Sequence, residues 1–143
     1  MPHDRRVDAS LVDVGFGISQ FLPILVADAQ LGEGSSLFVS QPEIHLHPSV
    51  QADFADYLLE HHRTDKKRYL IETHSEYLLN RFRALIARGQ LPEDDVAVYY
   101  FTMVKGEAKC HKLKFRKEGS IEGAPKEFFD TYMMDIMDIA MHA

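Results

Sequence analysis

The chain has 143 residues, 45% hydrophobic and 27% charged, a composition that suits one folded domain and excludes a disordered or low-complexity chain. A net charge of -6 and a pI near 5.7 argue against a protein whose main task is to coat nucleic acid. The single cysteine, Cys110, excludes a disulfide framework and a cysteine zinc site, and suits a reducing, cytoplasmic setting.

Residues 1–12 are polar, lack the apolar core of a signal peptide and read as a poorly ordered start. From Gly17 a helical spacing sets in, with Ile18, Phe21, Leu22, Leu25, Val26 and Ala29 on one stripe. Pro23 is expected in its first turns, where a missing amide costs little. The longest apolar run, 21–27, is far too short to span a bilayer. "LGEGSS" breaks the helix, and "LFV" at 37–39 reads as a short buried strand. A second helix opens at Pro48, with Val50, Phe54, Leu58 and Leu59 on its stripe, and "HRTDKKR" at 62–68 reads as a charged loop. "YLIET" at 69–73 is a second buried strand, followed by a helix that ends at Gly89. Runs 96–104 and 108–115 pair as a hairpin through "KGE", and a last helix is expected from Lys126 to Met141. Buried strands alternating with helices predict an α/β fold with a mostly parallel sheet and a C-terminal hairpin, in a single domain over 1–143.

Polar residues gather after the strands, where parallel sheets carry their chemistry: Ser40, Gln41 and Glu43 after the first, Thr73, His74 and Glu76 after the second. Upstream, "VGFGISQ" opens a helix, and free amides at a helix N-terminus favour anions. Together, "DVGFGISQFLPIL", "LFVSQPEIHLHP", "IETHSEYLLNRFR" and the C-terminal "PKEFFD" resemble the second half of an ABC-class, AAA-type ATPase domain. The branch they resemble holds the overcoming-lysogenization-defect nucleases and similar bacterial ATPases, with a partial P-loop NTPase fold. The resemblance covers roughly residues 12–132, with 24 residues from Gly17 to Gln41 and 33 from Gln41 to His74.

What it implies is read position by position. Gly15, Gly17, Ser19 and Gln20 match the signature segment that contacts the γ-phosphate of ATP held by the other protomer, with Gly15 where the general pattern has serine. Ser40 matches the Walker B acid that holds magnesium through water. Gln41 matches the acid that orients the attacking water, Glu43 falls on the D-loop region, and His74 matches the switch histidine. Neither Ser40 nor Gln41 is an anion, so Gln41 orients water without accepting its proton. No G-x-x-x-x-G-K-[ST] occurs in the 143 residues. ATP and magnesium are therefore expected only with a P-loop brought by a second ATPase half or by a homo- or hetero-oligomer, and no hydrolysis by the chain alone. In this class the P-loop strand lies beside the switch-histidine strand, so 69–73 is expected to lack a neighbour. Another chain, the hairpin or self-association would fill that gap. Met1 and the polar start fit a truncated reading frame as well as a split subunit.

Two further readings stand beside this one. The first is a non-catalytic interaction or regulatory protein on a degenerate ATPase lobe, in a phage-defence or DNA-maintenance assembly, which Ser40 favours. The second is a metal-dependent hydrolase using Glu43, His45, His47 and His74, since residues two apart in an extended segment point the same way. Its bland counterpart is a turn whose histidines pack and hydrogen-bond. Lys105, Lys109, Lys112, Lys114, Arg116 and Lys117 read either as contacts to nucleic-acid phosphates or as the solvated face of an edge hairpin. The Met- and Phe-rich last helix reads as core packing.

Overall fold

The computed structural model describes residues 16–125, 128 and 141. They fall into two compact units that divide after Arg81. Gly15, most of "PKEFFD" and nearly all of the expected last helix lie outside the described residues.

The first unit holds α1 (Phe16–Gln30), β1 (Ser36–Ser40), α2 (Pro48–Asp65) and β2 (Arg68–Glu72), and the start of α3 (Glu76–Ala87). β1 and β2 pair in parallel, from Ser36 opposite Arg68 to Ser40 opposite Glu72. Alternation along the strands gives the pair two unlike faces. On one face Val39 is buried, and the Tyr69 hydroxyl reaches Asp28 of α1. On the other, Phe38 and Leu70 are 61% and 69% exposed, so the two strands are not the buried strands that their apolar runs suggested: among the described residues only one face is covered. The helices meet through Phe21 and Phe54, edge to face at 5.0 Å, above buried Ala55, Leu58 and Leu59.

Two sequence expectations change here. Because α1 starts at Phe16, Pro23 falls in its interior, where it removes an intrahelical hydrogen bond instead of occupying a free first-turn position. The expected loop at 62–68 is mostly helix: α2 runs to Asp65 and ends on Lys66 in the left-handed conformation, φ 57°. Lys67, expected in that charged loop, is buried. Its Nζ donates to the Asp28 carbonyl at 2.7 Å and to the Asp28 carboxylate at 3.2 Å, with Asp65 at 3.7 Å. The same carboxylate accepts the hydroxyls of Tyr57 at 2.7 Å and Tyr69 at 3.0 Å. α1, α2 and β2 thus converge on one fully buried aspartate.

The second unit takes the end of α3, a 3-10 turn at Glu93–Asp95, and strands β3 (Val98–Val104), β4 (Glu107–Phe115) and β5 (Ile121–Glu122), in the antiparallel order β3-β4-β5. The expected mostly parallel sheet therefore holds for β1 and β2 alone. The hairpin turns on two residues, Lys105 at φ 52° and Gly106 at φ 83°, not three, because positive φ at both positions matches the strand twist. Leu113 and Phe115 are buried, as are Leu85 and Ile86 of α3. Arg83 binds α3 to the turn at Gly119, donating to its carbonyl at 2.6 and 2.9 Å. Among the described residues no helix is long and apolar enough to cross a membrane.

Burial alone raises the Asp28 carboxyl, but the bonds from Tyr57, Tyr69 and Lys67 outweigh it and hold it below its ordinary value. Burial, then the bond to Asp28, pushes both tyrosine hydroxyls above theirs. The signs bound a stability plateau. As pH falls below the ordinary carboxylate value of about 4, the unfolded chain takes up a proton first and stability is lost. As pH rises past about 10, the unfolded chain sheds the tyrosine protons first and stability is lost again. Urea titrations across pH read both limbs. Asp28→Ala strands a buried ammonium and is expected to cost about 3–5 kcal/mol in the same assay at pH 7.

Candidate functional site

The carboxyl ends of β1 and β2 place the candidate residues. Beyond Ser40 the ladder continues for one bond, Gln41 N–H to the Glu72 carbonyl at 2.7 Å. The chain then turns sharply. Gln41 stands at φ 48° and His45 at φ 63°, two non-glycine residues in the left-handed region within five positions. The Leu46 amide donates to the Glu43 carbonyl at 3.0 Å, closing the turn. The segment is therefore not extended, and the geometry that would have aimed Glu43, His45 and His47 at one ion is absent. His47 instead caps α2, its Nδ1 accepting from the Ser49 amide at 3.3 Å. Among the described residues no group of three or more His, Cys, Asp or Glu side chains is placed to hold a metal.

Ser40 does not stand by its neutral self. Its hydroxyl donates to the Glu72 carboxylate at 2.8 Å, from the directly opposed position on β2. A carboxylate thus sits at the strand end even though Ser40 and Gln41 carry none. Sequence reading passed over Glu72, because the register that sets it opposite Ser40 is a tertiary pairing.

Gln20, Ser40 and Gln41 line one groove of about 420 Å³ between α1 and β1, floored by Ile24, Leu37 and Val39. Gly17 lies at the same end of α1 for a steric reason. A methyl group there would stand 2.5 Å from the His45 carbonyl oxygen, a backbone atom with no rotamer to yield. Ser19 is exposed on the same turn of helix.

Glu43 faces the protein. Its Oε2 accepts the Thr73 hydroxyl at 2.8 Å and its Oε1 the His74 amide at 2.6 Å. Thr73 Oγ1 in turn accepts the Ser75 amide at 2.9 Å, and the Ser75 hydroxyl caps α3 by accepting the Leu78 amide at 3.0 Å. His74 is exposed. The structure therefore brings Gln20, Ser40 and Gln41 to one groove, sets Gly17 against the following loop and bonds Glu43 to the His74 segment. Thr73, Ser75, which as a helix cap fits the sequence, and Gln51, which accepts the Ser75 hydroxyl at 2.6 Å, hold that arrangement.

The cationic run of the hairpin separates in the second unit. Lys109 opposes Thr102, Lys112 opposes Tyr99, and positions 109 and 112 lie on opposite faces of β4. Arg116 is engaged by Glu122 and, at 3.9 Å, by Glu93. The six residues read as a group do not share one face. Tyr99, Phe101 and Met103 are exposed along β3.

Comparison with known proteins gives three findings. The family described as an AAA ATPase domain matches residues 5–79, just over half of the chain. A family described as a protein of unknown function, DUF3696, matches residues 91–139. The OLD nuclease of Thermus scotoductus (strain ATCC 700910 / SA-01) is 32% identical over 130 residues, which cover 87% of this chain and 23% of that protein. The chain thus spans less than a quarter of that relative's length. No solved structure matches.

Gly17→Ala tests the close approach. Helix propensity alone would make it stabilising by about 1 kcal/mol, whereas overpacking against fixed backbone costs about 1–3 kcal/mol. A net loss of stability in urea denaturation is expected.

Proposed function

Because this chain belongs to the AAA ATPase domain family, we propose that residues 16–81 form the lobe that closes on the γ-phosphate of ATP, with the P-loop supplied from outside these 143 residues. The convergence at the strand ends carries this reading: Gln20, Ser40 and Gln41 in one groove, Glu72 bonded to Ser40, and His74 on the adjoining loop. Parallel sheets bind their ligands at this end. The start of α1 offers backbone amides and the positive end of a helix dipole to phosphate. Gln41 holds the attacking water by hydrogen bonds, and His74 contacts the γ-phosphate and reports its presence to the loops.

Magnesium fits this donor set only through water. Bound on the phosphates, it would neutralise their charge, and the Ser40 hydroxyl with the Glu72 carboxylate would hold its water shell. Glu72 thus takes the electrostatic part that Ser40, in the position of the Walker B acid, gives up. The bare Phe38–Leu70 face, exposed next to these strand ends, favours coverage by further polypeptide. The nuclease to which the chain is similar points to nucleic acid as what the whole assembly acts on, with this lobe as a nucleotide-driven switch.

A second reading, a non-catalytic lobe that serves as an interaction surface, is favoured by Ser40, a neutral side chain where the ATPase pattern has an acid.

The test is ATP turnover. The 143-residue chain with ATP and magnesium is expected to release no phosphate above a protein-free blank. Joined by a P-loop-bearing polypeptide that copurifies with it, it is expected to hydrolyse ATP, with at least a tenfold loss in His74→Ala and a raised magnesium requirement in Glu72→Gln. Turnover by the chain alone, or hydrolysis indifferent to His74→Ala, would overturn the first reading. A copurifying partner without a P-loop favours the second.

A further inference from the structure

Glu43 occupies both carboxylate oxygens on the neighbouring loop, one with the Thr73 hydroxyl at 2.8 Å and one with the His74 amide at 2.6 Å. Around this bridge a ring of hydrogen bonds closes. Thr73 Oγ1 accepts the Ser75 amide at 2.9 Å, the Ser75 hydroxyl donates to Gln51 Oε1 at 2.6 Å, and Gln51 Nε2 donates to the Leu46 carbonyl at 2.9 Å. The ring returns to the loop from which Glu43 started. A loop fastened this way has little freedom to shift at one end without the other, since each bond would lengthen in turn.

That loop is also held out of its relaxed conformation. Gln41 and His45 both sit at positive φ, a backbone state that persists only where the surroundings over-determine it. Its far side rests on the start of α1, where the His45 carbonyl packs against Gly17 with no room for a methyl group. Gly17, His45, Glu43 and His74 are therefore in series: van der Waals contact, covalent loop, charge-assisted hydrogen bond.

We infer that Glu43 is a positioning residue for His74, coupling the start of α1 to the His74 segment through the strained loop 41–46. It touches no ligand in this role and acts through the His74 amide. The functional meaning of the coupling rests on the reading above: phosphate contact at the helix start would be felt at His74, and the reverse. The coupling itself is a property of this chain and is read without nucleotide.

The experiment is amide hydrogen exchange and amide chemical shift by NMR on the full chain. Glu43→Leu keeps the side-chain bulk and removes both acceptors; Glu43→Gln keeps one acceptor oxygen. His74 amide exchange is expected to speed up tenfold or more in Glu43→Leu, with Glu43→Gln intermediate, while Leu113 in β4 keeps its protection. Gly17→Ala, which pushes on His45, is expected to shift the His74 amide resonance when Glu43 is present and to leave it in place in the Glu43→Leu background. Unchanged His74 exchange in Glu43→Leu, or an equal Gly17→Ala shift in both backgrounds, overturns the inference. Where Gly17→Ala does not fold, the exchange comparison alone decides. Because no ATP enters the measurement, its failure is separate from failure of the ATPase reading.

Discussion

The first unit depends on the carboxylate of Asp28. It is fully buried and takes donors from three separate elements: Tyr57 on α2, Tyr69 on β2 and Lys67 at the junction between them. A buried carboxylate without partners would be intolerable, and so would the Lys67 ammonium beside it. Each makes the other acceptable, and the two tyrosine hydroxyls each take a lone pair, one on either carboxylate oxygen. The consequence is geometric more than energetic: α1 and α2 must lie at a fixed height on the sheet for the four groups to meet. Once that is set at the amino end of β2, the carboxyl ends of β1 and β2 are set as well, because the strands are rigid and paired in register.

At those carboxyl ends the molecule works with loops instead of core. Two left-handed residues, one glycine packed under a carbonyl and one carboxylate bridging two loops give a site held by directional bonds. Directional bonds hold discrete arrangements in place of a continuum. The Ser40–Glu72 bond belongs to the same economy. A strand end without carboxylates at Ser40 and Gln41 has a negative group one strand away, contributed through register.

Much of this was legible in the chain. The apolar stripes gave α1 and α2 to within a few residues, the short apolar runs gave β1 and β2, and alternation gave the hairpin. The motif spacing identified the family that residues 5–79 then matched. What went astray did so for tertiary reasons. "HRTDKKR" is charged, and charge normally means solvent, but Lys67 has a buried aspartate 39 positions away to neutralise it. The H-x-H pattern suggests ligands only if the chain is extended, and here Gln41 and His45 turn it. The cations of 105–117 are dense in sequence, and a period of two sends Lys109 and Lys112 to opposite faces of the hairpin.

By itself, then, the sequence determined the identity and order of the main described elements and the family, because these depend on local periodicity and on short spacings. Tertiary structure alone decided the partners. It matched Asp28 with Lys67, Ser40 with Glu72 and Glu43 with His74, pairs separated by 39, 32 and 31 residues. Such pairings follow from strand register and from burial, where an unsatisfied polar group is costly, and neither is written in the neighbourhood of the residue concerned.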